Sequence, residues 1–127
     1  MQDIGHIDKR LYSLITDQIR SSRLVLTEKS KNHIIDRRGE AFFEMYSCYF
    51  KTIAEDPDYL FKDKNHKNSA LACKTIQENG KHIHLVIRLA VKSDDEEYEN
   101  SIITAMIENN RRYQQRLRNN IPVYKKV

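Results

Sequence analysis

The stretch KHIHLVIRLAVK, residues 81–92, alternates between two sets of side chains along its whole length. Successive side chains of a β-strand point to opposite faces of the sheet, so this alternation predicts a strand with one strongly apolar face. One face receives Ile83, Leu85, Ile87, Leu89 and Val91, and the other receives His82, His84, Val86, Arg88 and Ala90.

The segments on either side of this strand also predict strands, at 58–63, 69–77 and 101–108. Each is short, contains apolar or aromatic residues and is bounded by polar turns. The turns DKNHKN and ENG have the Asn, Asp and Gly residues typical of hairpin connections. The acidic segment SDDEEYEN, residues 93–100, joins the last two strands, and together these segments predict an antiparallel meander.

The N-terminal half of the chain predicts helices. Residues 6–20 carry apolar residues four positions apart, which favours an amphipathic helix; they are Ile7, Leu11, Ile15 and Ile19. The short apolar run RLVL, residues 23–26, fits either a strand or the lead-in to a helix.

Two more helices follow, and both have capping signals. Thr27 is a good N-cap and Gly39 a natural stop for the first of them. The second, residues 40–56, ends at Asp56, because a residue before proline is pushed out of the helical region. Its apolar stripe predicts core packing and consists of Phe42, Tyr46, Tyr49, Phe50 and Ile53.

Residues 109–120 predict a basic helix that rests on Tyr113 and Leu117, and VYKK, residues 123–126, can add a last edge strand. The fold class is therefore α+β. We expect N-terminal helices followed by an antiparallel sheet of about four to five strands, with helices on one face, then the basic helix and the short last strand. Residues 1–127 are expected to form one domain.

The basic residues are concentrated at the C-terminal end of the chain. The net charge is +4, and residues 109–127 contain six basic residues and no acidic one. A localised basic surface is the electrostatic signature of a protein that binds phosphate backbones, although a solvated helix face has the same composition. The basic residues are Arg111, Arg112, Arg116, Arg118, Lys125 and Lys126.

The two cysteines, Cys48 and Cys73, are too few for a disulfide framework and are expected to be buried, reduced thiols. No run of about 18 apolar residues and no secretory signal is visible. We therefore expect a cytoplasmic protein without a membrane partner.

One cluster of ionisable residues has the composition of a catalytic site. In a helix, His33 and Arg37 share a face, with Asp36 in reach of His33 and Arg38 close by. Cleavage of RNA by its own 2′-hydroxyl needs proton transfer, to which histidine is suited, and positive charge near the phosphate, which arginine supplies. The nucleophile is part of the substrate, so neither a metal nor a cofactor is expected. A solvated histidine on a charged helix is the alternative.

Other patterns indicate weaker candidates. His82 and His84 share a strand face and could give two zinc ligands, but a zinc site needs three or four, so we favour solvated surface. The acidic segment 93–100 lacks the ligand spacing of a calcium loop, and the three scattered glycines of the chain build no phosphate-binding loop.

Several motifs together resemble the phage barnase–EndoU–colicin–RelE-like nuclease family. They are IGHIDKRL (4–11), LVLTEKSKNHIIDRR (24–38), EDPDYL (55–60), LVIRLAV (85–91), NSIITAMI (100–107) and RLRNNIPVYKK (116–126). The resemblance implies a barnase- or RelE-like fold and metal-independent endoribonuclease activity of the kind found in toxins. RNA, with tRNA as one candidate, would be the substrate, and an acidic inhibitor protein would be a partner. The implied catalytic residues are His33, Arg37, Arg38, Ser101 and Thr104; the implied substrate-binding residues are Arg88, Arg116, Arg118, Tyr124 and Lys125.

The chain departs from the family pattern in two places. Arg38 and Gly39 stand where the family has a second histidine and a proline, so activity is expected only if position 38 mainly supplies positive charge. Otherwise the chain would be an inactive nucleic-acid-binding module or a phage-particle-associated interaction module. Ser101 and Thr104 also have opposite strand parity, so they share a site only through a β-bulge or at a strand end.

Overall fold

Seven strands and five helices follow one another in the computed structural model, which describes residues 1–127. The strands are β1 (Gln2–His6), β2 (Arg23–Leu26), β3 (Tyr59–Lys62), β4 (Ser69–Thr75), β5 (His82–Arg88), β6 (Asn100–Glu108) and β7 (Tyr124–Lys125). The helices are α1 (Lys9–Tyr12), α2 (Glu28–Arg38), α3 (Glu40–Tyr46), α4 (Phe50–Glu55) and α5 (Asn110–Asn119). No helix is both long enough and apolar enough to cross a membrane.

All seven strands form one mixed sheet in the order β1-β2-β6-β5-β4-β3-β7. The α+β class and the meander from β3 to β6 are confirmed. The predicted strand number and order are wrong, because β1 and β2 extend the sheet at its N-terminal side. Moreover, β2 runs parallel to β6, with Leu24 opposite Asn100 and Val25 opposite Ser101.

Asn100 holds the parallel pair together. Its side chain is fully buried; Oδ1 accepts from the backbone N–H of Ala90 at 2.7 Å, and Nδ2 donates to the carbonyls of Ser21 and Arg23 at 2.8 Å each. One amide therefore satisfies backbone groups from three segments that strand pairing leaves open.

The predicted helix over residues 6–20 is wrong for most of its length. Residues up to His6 belong to β1, and Asp8 accepts from the N–H groups of Arg10 and Leu11, which starts a helix of only one turn. Of the apolar residues at spacings of four, Ile7, Ile15 and Ile19 are nevertheless buried and Leu11 is partly buried, although this part of the chain is mostly turns. Helical spacing therefore marked core positions without forming a long helix.

The helices α2 to α4 begin and end near the predicted positions. Thr27 Oγ1 accepts from the Ser30 N–H at 3.1 Å, and Gly39, with a φ of 94°, separates α2 from α3. A positive φ of this size favours glycine because it has no Cβ. The predicted helix over 40–56 is interrupted by a 3₁₀ turn at Ser47–Tyr49 and ends before Asp56 as expected.

Helices lie on both faces of the sheet, so the prediction that they share one face is wrong. The larger core joins α2 and α4 to the sheet through Ile34, Phe50 and Ile53. The opposite face, here called the α5 face, carries a smaller core in which Tyr113 of α5 packs with four sheet residues: Phe61, Leu71, Cys73 and Val86.

A β-bulge at Ile103 changes the direction of the side chains in β6. Val86 pairs with Thr104 and Ile87 pairs with Ile102, so Ile103 has no partner. Ser101 lies opposite Arg88, which like Val86 lies on the α5 face, and the bulge therefore brings Ser101 and Thr104 to the same face. The β-bulge that Ser101 and Thr104 need in order to share a site is therefore present.

The two cysteines differ in their surroundings. Cys73 is buried as predicted, and burial raises the pKa of its thiol to about 12. Cys48 is exposed, so the prediction of two buried thiols is wrong there. It lies in the 3₁₀ turn at Ser47–Tyr49, outside the apolar stripe that faces the core.

Candidate functional site

Four neighbouring cavities follow one another along the α5 face, and each shares a lining residue with the next. The first, of about 360 Å³, shares Glu108 with the second, of about 350 Å³. The second shares Arg116 and Asn120 with the third, of about 140 Å³, which shares Asn65 with the fourth, of about 490 Å³. These four adjoining cavities are together called the α5 groove here.

The lining of the α5 groove is basic. Its two carboxylates are already occupied: Glu108 pairs with Arg116, and Asp63 Oδ2 lies 2.6 Å from His66 Nδ1. The excess positive charge favours an anionic, extended ligand. The seven cationic lining residues are Lys62, Lys64, Lys67, Lys81, Arg88, Arg112 and Arg116.

An ionic cluster of two buried residues, His84 and Glu108, and the partly buried Arg116 lies at the groove. His84 Nδ1 is 3.0 Å from Glu108 Oε1, and Arg116 binds the same carboxylate through Nε at 3.1 Å and Nη2 at 2.9 Å. Burial alone would raise the pKa of Glu108, but hydrogen bonds from His84 and Arg116, together with their charges, outweigh it and lower the pKa to about 2. Glu108 is therefore ionised at neutral pH, and it fixes the orientation of both partners.

A second histidine fixes the start of α5 on the sheet. The ring of His82 stacks on that of Tyr113, with centroids 3.9 Å apart and planes 4° from parallel. His82 Nδ1 lies 2.8 Å from Thr75 Oγ1, and Nε2 lies 3.2 Å from Asn110 Oδ1. Both ring nitrogens have partners, so this histidine positions the helix that forms one wall of the groove.

The interpretation of His82 and His84 as solvated surface is therefore wrong. Both lie beneath α5, and no three histidine, cysteine or acidic side chains lie close enough to hold a metal ion together. Sequence reasoning missed Glu108, although it lies opposite His82 in the strand pairing. The available signal was an acidic residue at the end of one predicted strand and two histidines at the start of its neighbour.

The residues predicted on α2 lie apart from the groove. His33 and Arg37 are exposed and make no hydrogen bond or ion pair within the protein, and Asp36 does not bond to His33. Arg38 Nε donates to the carbonyl of Ala105 at 3.3 Å, which holds it at the edge of β6. The fold therefore gives His33 no structural role and leaves it accessible to a ligand.

The strand hydroxyls Ser101 and Thr104 point to the α5 face, whereas α2 packs on the opposite face through Ile34. The structure therefore does not bring them together with His33. Thr104 Oγ1 is buried and has no hydrogen-bond partner.

Some of the predicted substrate-binding residues line the groove and the others lie outside it. Arg88 and Arg116 line the groove, and Arg118 is exposed on α5 outside the four cavities. Lys125 lies opposite Tyr59 at the far edge of the α5 face, whereas Tyr124 packs against the larger core on the other face. β7 lies four strands from β6, or ~19 Å at about 4.8 Å per strand, so Tyr124 is remote from α2.

No protein-family model, curated protein or solved structure matches the chain. The resemblance to the phage barnase–EndoU–colicin–RelE-like nucleases therefore stays a prediction, and the groove and α2 are interpreted below from their chemistry.

Proposed function

We propose that the chain is a metal-independent endoribonuclease that binds single-stranded RNA along the α5 groove. The observation that supports this most is the groove itself, which is lined by seven cationic side chains. Five of them have no ion pair in the protein, whereas Arg88 and Arg116 are paired with Asp94 and Glu108. A groove of this kind follows a phosphate backbone, and its amide side chains can bond to exposed base edges.

Cleavage is assigned to the accessible residues of α2. Beyond Ser101, β2 no longer pairs with β6, and Arg38 lies at this open edge on the carbonyl of Ala105. An RNA strand that leaves the groove across the edge of β6 would reach Arg38 first and then the exposed side chains of α2. The helix motif that resembles the nuclease family, NHIIDRR, supports the same assignment.

The proposed reaction is an internal transesterification. The ribose 2′-oxygen forms a bond to phosphorus while the bond from phosphorus to the 5′-oxygen breaks, leaving a 2′,3′-cyclic phosphate and a 5′-hydroxyl. His33 takes the 2′ proton or supplies one to the leaving oxygen, and solvent completes the other transfer. Arg37 and Arg38 stabilise the charge that develops on the phosphate oxygens.

The direct test incubates the purified protein with single-stranded RNA in excess chelator and identifies the new ends. Cyclic phosphate ends are expected from the wild type, and His33→Ala is expected to lower the rate by ~10²–10⁴-fold, the usual contribution of a proton-transfer group. His6→Ala is the matched control, because His6 is also exposed and its ring has no partner.

Equal rates in His33→Ala and the wild type would end the assignment to α2. If His84→Ala alone abolished cleavage while its fold was retained, proton transfer would belong to the groove. RNA that stays intact with every variant would reject the enzyme.

A second candidate function is RNA binding without cleavage. It is favoured by one observation: the predicted catalytic residues His33, Ser101 and Thr104 lie on opposite sides of the sheet. This function predicts binding that weakens steeply as salt rises, with intact RNA recovered from the complex.

A further inference from the structure

The fourth cavity of the groove is lined by an exposed aromatic side chain, that of Tyr98, whereas the ring of Phe61 in the third cavity is buried. Tyr98 is 38 % exposed, and every other phenylalanine and tyrosine of the chain is buried or partly buried. The Arg88 guanidinium carbon lies 5.0 Å from the centroid of the Tyr98 ring. The ring therefore has a cation on one side and is accessible to a ligand elsewhere.

Two arginines fix the loop that carries Tyr98. Arg88 binds the Asp94 carboxylate through Nη1 at 3.1 Å and Nη2 at 2.9 Å, and Asp94 also accepts from the Val91 N–H at 2.8 Å. Arg20 donates to the carbonyls of Asp94 and Tyr98. These hydrogen bonds fix the backbone of the loop that carries the exposed ring. Less conformational entropy is therefore lost when a planar ligand stacks on the ring.

The same cavity is also lined by an asparagine in an unusual backbone conformation. Asn68 has a φ of 57° and is the only residue other than glycine with a positive φ. Its carbonyl accepts from the Leu89 N–H at 2.8 Å, whereas its side-chain amide has no hydrogen bond in the protein. The amide is therefore free to donate to and accept from a ligand.

The bulge in β6 supplies an apolar side chain to the lining of this cavity. Ile103 is the unpaired residue of the bulge, and it lines the same cavity. Bulges of this kind redirect a side chain, and here the redirected side chain lies on the α5 face.

We propose that this cavity is a subsite for one nucleobase of single-stranded RNA, which stacks on Tyr98, contacts Ile103 and pairs its polar edge with the Asn68 amide. The proposal rests on the proposed RNA function and names which part of the strand the groove recognises. An aromatic platform with one free amide is the arrangement that proteins use for an unstacked base.

The charges around the cavity orient the nucleotide. The loop that carries Tyr98 is acidic at Asp95, Glu96 and Glu97, whereas Lys67, from the turn before β4, is cationic and lines the same cavity. A phosphate is repelled by the first side and attracted by the second. The base therefore points toward the loop, and its phosphate lies toward the lysine.

The test uses the intact protein and the four ribonucleoside monophosphates, followed by nuclear magnetic resonance through the Asn68 side-chain amide and the Tyr98 ring. Saturable shifts of both signals are expected with at least one of the four nucleotides. Inorganic phosphate, used as the matched probe without a base, should leave both signals unchanged.

The affinity of Tyr98 variants for a short single-stranded RNA then measures how much stacking of a base on Tyr98 contributes to binding. Tyr98→Ala is expected to weaken binding ~10–100-fold, since the loss of one stacked base has this size, while Tyr98→Phe retains affinity because it keeps the ring. Asn68→Gly keeps the left-handed backbone without the amide, so it should change the preference among the four bases more than the overall affinity.

The outcomes separate the subsite from the function on which it rests. If RNA binds wild type and Tyr98→Ala equally and the nucleotides shift neither signal, the subsite is rejected and groove binding stands. If the nucleotides shift both signals but RNA is never cleaved, the subsite is supported and the nuclease is rejected. Absence of all binding by nucleotides and RNA overturns both.

Discussion

Glu108 links His84 of β5 to Arg116 of α5. It accepts hydrogen bonds from His84 and Arg116, and it is only 7 % exposed. Removal of one partner from a buried charge pair costs more than the pair contributes, because the remaining charge is left without compensation. The same carboxylate lines the first two cavities of the groove, so its loss would affect both stability and binding.

The lowered pKa of Glu108 predicts how stability depends on pH. A carboxyl whose pKa falls from 4.5 when unfolded to about 2 when folded stabilises the protein above about 4.5, and the stabilisation is lost as pH falls toward 2. The shift corresponds to on the order of 3 kcal/mol. Urea unfolding of the wild type should show this loss, and Glu108→Gln should be less stable at pH 7 with a flatter profile between pH 4.5 and 2.

Glu97→Gln is the control for this prediction, since Glu97 is exposed and has no partner in the protein. Its profile should follow that of the wild type. If Glu108→Gln showed the wild-type slope as well, the acid sensitivity would come from other carboxyls.

At the scale of elements, β2 and β6 show how a side chain can specify strand pairing. Parallel strands need a long connection, and here β2 and β6 are separated by most of the chain. Only two residue pairs join them, and the amide of Asn100 adds hydrogen bonds to Ala90, Ser21 and Arg23. The pairing therefore relies on one buried side chain as much as on the backbone ladder.

Asn100→Ala is expected to destabilise the fold by ~3–5 kcal/mol, since three buried or partly buried backbone groups lose their partner and each costs about 1–3 kcal/mol. Asn100→Asp keeps the shape and the acceptor for Ala90 but loses both donated bonds, so it should also destabilise. Chemical unfolding of both variants measures the effect. Wild-type stability in Asn100→Ala would mean that the ladder and the core suffice.

At the scale of the whole molecule, the sheet separates two surfaces with different chemistry. The α5 face carries the basic groove, while the other face is covered by the larger core and the helices from α2 to α4. The basic excess of the C-terminal segment is thus placed on one side of the protein, where charges in a groove act together on an extended anion.

Two neighbouring arginines of α5 provide a matched test of this arrangement. Arg112 lines the groove and Arg111 does not, although both are exposed and have the same charge. Arg112→Gln should weaken RNA binding more than Arg111→Gln and should reduce the slope of log affinity against log salt by about 0.7, the value for one phosphate contact on a single strand. Titrations at several salt concentrations measure both quantities.

Equal losses in the two variants would show that only the net charge of α5 matters. If the affinity does not change with salt concentration, the protein does not bind RNA through its phosphate groups.

The sequence by itself determined features that depend on near neighbours in the chain. The alternation of 81–92 predicted β5, Thr27 and Gly39 predicted the ends of α2, and the basic residues predicted α5. These succeed because the periods of strands and helices, and the hydrogen bonds of caps, extend over only a few residues. Arg88 and Arg116 were named as substrate-binding residues through the resemblance to the nuclease family, and both line the groove.

Only the tertiary structure decided which distant residues meet. His84 and Glu108 are 24 positions apart, and their contact depends on the pairing of β5 with β6. The face taken by α5 and the parallel pairing of β2 depend on how all the apolar surfaces are buried at once, which no local pattern contains. The separation of His33 from Ser101 and Thr104 also depends on tertiary packing, because the sheet lies between them and the order of residues in the chain does not show this.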